Sequence, residues 1–141
     1  LDFDLDLAKS KNNENPVYYI QYAHARIHRV LKELKNNGLV FDKQSGISNL
    51  EKLSTQHETE IITKLSDYPD VIAQSAKKKS VHSLANYLVE LAQLVHSYYS
   101  AHRFIVENLE LRNARIALIT AASCIISDGL SILGVSAPEK M

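Results

Sequence analysis

A chain of 141 residues with 45% hydrophobic content can bury one substantial core, and its 16 basic residues balance 16 acidic ones, so net charge alone points to no polyanionic partner. No uninterrupted apolar run approaches the roughly 18–20 residues that span a bilayer, and the single Cys124 excludes an internal disulfide. The chain opens on Leu1 with neither a basic nor an apolar leader, so it reads as a piece of something longer from a reducing, cytoplasmic compartment, with no membrane partner expected.

Residues 1–14 begin with the alternating LDFDLDL and run into KSKNNEN, too short and polar for a paired strand; they are expected to be a connector. Asn15 and Pro16 form an N-cap and first-turn pair, and Val17, Ile20, Ile27, Val30, Leu31 and Leu34 follow helical spacing to a stop at Asn36-Asn37-Gly38. Leu39 to Asn49 is expected to be a loop. A second helix is then predicted to carry Leu50, Leu53, His57, Ile61 and Leu65 on one stripe until Tyr68-Pro69 breaks it. Pro69 opens a short third helix that ends in Lys77-Lys78-Lys79, where lysines complement the negative helix terminus. Ser80 is expected to cap a fourth helix with Val81, Leu84, Ala85, Leu88, Leu91, Ala92, Val95 and Tyr99 inward. The last helix runs from near Glu110 to Leu133, with Leu111, Ala114, Leu118, Ala121, Ala122, Ile125 and Ile132 as its apolar face and Gly134 as its stop. The pattern predicts an all-α fold, a single bundle of about five helices over residues 15–141, with antiparallel neighbours packed around the alanine-rich final helix.

Charge is uneven along this bundle: the first helix carries Arg26, Arg29, Lys32 and Lys35 against Glu33 alone. On charge alone, a solvated outer face explains this better than nucleic-acid binding. Catalytic constellations are wanting. His24 and His28 have the spacing of zinc hydrolases, but Ala25 stands where the general-base glutamate belongs and no third ligand is evident, so no metal is expected and two surface hydrogen-bonding histidines are. Cys124, in the apolar AASCII, is expected to be a small buried hydrophobe, and His57 with Glu60 an ordinary helix-face pair. The four glycines are scattered, so no phosphate loop forms. No catalytic residue is expected in this chain.

NPVYYIQYAHARI, at Asn15–Ile27, resembles the start of the C-terminal anticodon-binding domain of arginyl-tRNA synthetases of bacterial type. LAQLVHSYYSAHRFI is similar to the middle helix of that family, and LELRNARIALITAASCIISDGLSILGVSAPEKM to its last helix and terminal methionine; FDLDLA resembles what precedes the domain. The Tyr-x-Gln-Tyr-Ala-His-Ala-Arg block is the specific part. The D-A-L-R pattern that names the domain type is reduced to Leu109-Glu110-Leu111-Arg112, Val95 and Tyr98 replace frequent phenylalanines, and His28 replaces a smaller residue.

The resemblance implies that Tyr19, Tyr22, Tyr99 and Met141 receive a tRNA anticodon loop, with backbone just before Pro16. It also implies a catalytic domain in cis that uses ATP and magnesium to join arginine to its tRNA, this chain itself needing no cofactor. Tyrosine suits the task, because unstacked loop bases need flat apolar faces with hydrogen-bonding edges beside them. Arg26, Arg29 and Arg103 are candidates for phosphate contacts on the ground of local positive charge. Periodicity alone gives a more ordinary reading: with Tyr18, Tyr19 and Tyr22 three and four apart, at least one should point into the core. Because aromatics and arginines also favour protein interfaces, a helical interaction or self-association module without RNA binding is the alternative; a monomer is expected.

Overall fold

Asn15 sets the start of the first helix: its side-chain oxygen accepts from Val17 N–H at 3.1 Å and Tyr18 N–H at 3.4 Å, and Pro16 supplies a first-turn residue with no N–H to satisfy. The computed structural model describes residues 14–141, so the expected connector lies outside the described residues except for Glu14. Among these residues there are six α-helices: α1 (Pro16–Asn36), α2 (Lys43–Ser48), α3 (Gln56–Ser66), α4 (Tyr68–Lys78), α5 (His82–Ala101) and α6 (Leu109–Ile132), with a 3-10 turn at Leu50–Lys52. No strand occurs among the described residues.

α6 is the central element, and α1, α2, α3 and α5 all pack on it. Its burial therefore winds around the helix instead of following one stripe: Ala114, Ile116, Leu118, Ile119, Ala122, Ile126 and Leu130 are buried, whereas Ala121 and Ile132, expected inside, are exposed. Cys124 is also exposed, contrary to expectation, because it falls in the gap that these neighbours leave uncovered. By length and composition α6 could cross a bilayer, but half of its apolar window is buried by the other helices, as befits a core helix. Each fully buried Leu or Ile here contributes about 1.5–3 kcal/mol of transfer free energy.

Three boundaries differ from expectation. The stretch 39–49 is not all loop, since Asp42 accepts from Ser45 N–H at 3.0 Å and starts α2. α2 sits close on α6: a Cβ at Gly46 would lie 2.5 Å from the Asn113 carbonyl oxygen, so only glycine permits this approach. α3 begins at Gln56, not near Leu50, because Thr55 and Glu58 form a capping box in which Glu58 N–H donates to Thr55 Oγ1 and Thr55 N–H donates to Glu58 Oε1. The cap of α5 is also shifted: Ser80 Oγ accepts from His82 N–H at 3.3 Å, while Val81 occupies the cap position. Within α5 it is Tyr98, not Tyr99, that enters the core.

Glu58 is fully buried, and four donors close on it: Tyr98 Oη at 2.6 Å, Arg115 Nε at 2.8 Å, Thr55 Oγ1 at 2.9 Å and Thr55 N–H at 3.1 Å. Burial alone would raise its pKa, but these hydrogen bonds outweigh that and hold the carboxyl below its usual range. Three helices, α3, α5 and α6, thus meet at one carboxylate.

Candidate nucleic-acid interface

Where α1 crosses α5, four of the sequence-predicted residues come together. The Arg26 guanidinium lies over two rings, 4.5 Å from the Tyr22 centroid and 4.6 Å from that of Tyr99. His96, which sequence reasoning missed, organises the cluster: its ring is 4.5 Å from Tyr19 and 5.5 Å from Tyr22. Arg26 Nη1 can only donate, so His96 Nδ1 accepts at 3.0 Å and its Nε2–H donates to the Tyr19 carbonyl at 3.2 Å. A neutral imidazole is required. Burial lowers the His96 pKa and the Arg26 charge adds to this, against the opposing pull of the Tyr19 carbonyl. The signal for His96 was present in its spacing three residues before Tyr99 on α5.

Tyr18, Tyr19, Tyr22 and Tyr99 are all half-buried; Tyr19, as expected of at least one of the three on α1, packs against the core, and so does Tyr99 on α5. Arg26, expected to reach outward to phosphate, has its guanidinium over two rings; its Nε has no hydrogen-bond partner among the described residues. Arg103 is exposed and borders a groove of about 380 Å³ lined also by Val30, Glu33, Tyr99, Phe104 and Ile105. Its carbonyl accepts from Arg115 Nη1 at 2.7 Å, which ties this loop to the buried Glu58 carboxylate. Arg29 follows Tyr22 and Arg26 on the same face of α1, and there it meets the exposed Met141 in a hollow shared with Ala25 and Lys32.

Of the two histidines of α1 expected at the surface, His28 stays part-exposed and His24 does not. His24 is buried and bonded to the Pro138 carbonyl, and His28 bonds Ser123 Oγ at 3.0 Å. His24 is engaged because the chain after α6 folds back over α1, and His28 because α6 itself packs there. Among the described residues no cluster of three His, Cys, Asp or Glu side chains could hold a metal ion. His57 lies 3.2 Å from His102, and Glu60 accepts from Gln56, so the expected His57–Glu60 pair does not form.

Burial lowers the His28 pKa, with the nearby His24 adding to this and Glu139 opposing it. His28 and His96 are therefore both harder to protonate in the fold than in the unfolded chain, where the value is 6.5. Below that pH the unfolded state binds more protons, so their stabilisation is complete above about pH 6.5 and is lost as pH falls toward the lower folded values. Thermal melts should show Tm decreasing from about pH 7.5 to 5.5; a Tm that stays level or rises over this window contradicts the assignment.

Among the described residues the chain is thus an all-helical bundle with an aromatic and cationic face between its first and fifth helices. The chain belongs to the DALR anticodon binding domain family, whose model matches residues 20–141. Among its relatives, the arginine–tRNA ligase of Coxiella burnetii (strain CbuK_Q154) is 55% identical over 141 residues, and that of Legionella pneumophila (strain Corby) 52%. Each match takes in 100% of this chain and 24% of the relative, so the chain spans about a quarter of the length of these curated relatives. The arginyl-tRNA synthetase structure from Thermus thermophilus superimposes with a TM-score of 0.78 at 28% identity, covering 100% of this chain and 24% of that one. A Campylobacter jejuni structure described as an arginyl-tRNA synthetase gives 0.83 at 25% identity, covering 100% and 30%.

Proposed function

We propose that this chain is the tRNA anticodon-binding domain of an arginine–tRNA ligase, and that the Tyr22–Arg26–Tyr99 stack with Tyr19 is the platform for unpaired loop bases. The observation that carries the reading is this stack, because aromatic rings and a guanidinium plane are the surfaces on which splayed RNA bases lie. Arg29 and Arg103, both exposed, flank it as phosphate contacts, and Met141 closes the far side beside Arg29. Residues 1–14 connect it to a catalytic domain in cis. That domain supplies the ATP and magnesium chemistry of a cytoplasmic enzyme of translation, and the protein acts as a monomer.

Titration of the chain with an arginine-accepting tRNA transcript at several salt concentrations tests this. Saturable binding is expected at low salt, with log affinity falling linearly against log salt, by about 0.7 for each single-strand phosphate contact. Absence of saturable binding at low salt, or equal affinity for a tRNA with an unrelated anticodon, would overturn the proposal.

A further inference from the structure

Beyond α6 the chain runs along one stripe of α1. Gly134, at φ +75°, turns it out of the helix, and Val135 N–H donates back to the Leu130 carbonyl at 2.8 Å. Gln21 Nε2 then donates to the Ser136 carbonyl at 2.9 Å, His24 Nδ1–H to the Pro138 carbonyl at 2.8 Å, and His28 Nδ1 lies 3.7 Å from the Glu139 carboxylate. Because a carbonyl can only accept, His24 carries its proton on Nδ1.

The two segments match in length. Gln21, His24 and His28 lie on one helix face and span about 10.5 Å of axial rise. Ser136 to Glu139, if extended, reaches about 10 Å. The segment therefore advances in step with α1, and at its end Met141 lies beside Ala25, Arg29 and Lys32. Two side-chain donors on α1, neither of them part of the tyrosine cluster, thus hold the segment that leads to Met141.

We propose that Gln21 and His24 are positioning residues that clip segment 136–141 along α1, so that Met141 is held beside Arg29 in the RNA-facing surface. The inference rests on the anticodon-binding reading for its effect on RNA, but the clip itself can be tested without RNA. His24 is buried, so its reach to RNA is through the segment it holds and not by direct contact.

Met141 is the sole methionine, so its methyl group gives a single NMR signal that reports the clip. His24→Ala and Gln21→Ala are each expected to move that signal to its flexible-chain position in the free protein. His24→Asn, which keeps an N–H donor near the same place, should restore it. Tyr22 ring signals, away from the segment, should stay put and show that the variants fold. In tRNA titration His24→Ala should weaken binding about tenfold in the full chain. In a chain lacking Glu139–Met141 the same substitution should cause no further loss. An unmoved methyl signal in both alanine variants, or losses that add in the shortened chain, would overturn the proposal. If the unaltered chain fails to bind tRNA, the anticodon reading falls while the methyl signal still decides the clip.

Discussion

Replacing Glu58 with alanine is expected to cost the fold about 3–5 kcal/mol and to lower Tm by roughly 10–20 °C. The size follows from what is left behind. Arg115, itself nearly buried, loses the carboxylate that neutralises it, and the buried Tyr98 hydroxyl loses its acceptor. A buried charge stripped of its partner is far more costly than the pair is stabilising. The capping box of α3 goes at the same time, since Glu58 Oε1 accepts from Thr55. Glu58→Gln keeps the volume and an acceptor but not the charge, and should fall between wild type and alanine. Pairing Glu58→Ala with Arg115→Met should recover part of the loss, because the residues share one network. Urea unfolding of the four proteins measures this; a Glu58→Ala loss below about 1 kcal/mol contradicts a paired, desolvated carboxylate. The same carboxylate bears on the groove, because the Arg115 it holds also fixes the Arg103 carbonyl there.

Tyr22→Ala and Tyr99→Ala are each expected to weaken tRNA binding by about 1–3 kcal/mol, roughly 5- to 150-fold. Both rings contact the Arg26 guanidinium, so the double substitution should lose less than the sum of the two. Phenylalanine at either position keeps the stacking face and should bind much closer to wild type. The salt dependence separates the roles of the residues. Arg29→Ala, at an exposed cation, should reduce the salt slope by about one contact, whereas Tyr22→Ala should lower affinity at an unchanged slope. Equal slopes for the two variants would contradict the division into base platforms and phosphate contacts.

The helices were readable wherever a cap or a stop is a property of a few adjacent residues. Asn15-Pro16, Asn36-Asn37-Gly38 and Gly134 mark the ends of α1 and α6 because their backbone chemistry is local. The start of α3 was legible too, as Thr55-x-x-Glu58, but the apolar stripe through Leu50 and Leu53 hid it. What could not be read was partnership between distant segments. Glu58 and Arg115 are an ordinary acid and base in sequence and become a buried pair only when α3 meets α6. Cys124 and Ala121 are apolar-patterned yet exposed, since the pattern does not say which side of α6 its four neighbours leave open. In the site, the tyrosines were visible as a cluster on α1, while His96 and the inward turn of Arg26 depended on how α5 crosses that helix.

The face formed by Tyr19, Tyr22, Arg26 and Tyr99 is tested most directly by NMR of the tyrosine rings and the Met141 methyl group during addition of an anticodon stem-loop. Upfield shifts of the Tyr22 and Tyr99 ring signals, together with movement of the Met141 methyl, are expected for bases lying on that face. A stem-loop that binds while those signals hold their positions, or a fully paired RNA that moves them equally, would show that the loop is received elsewhere on the domain.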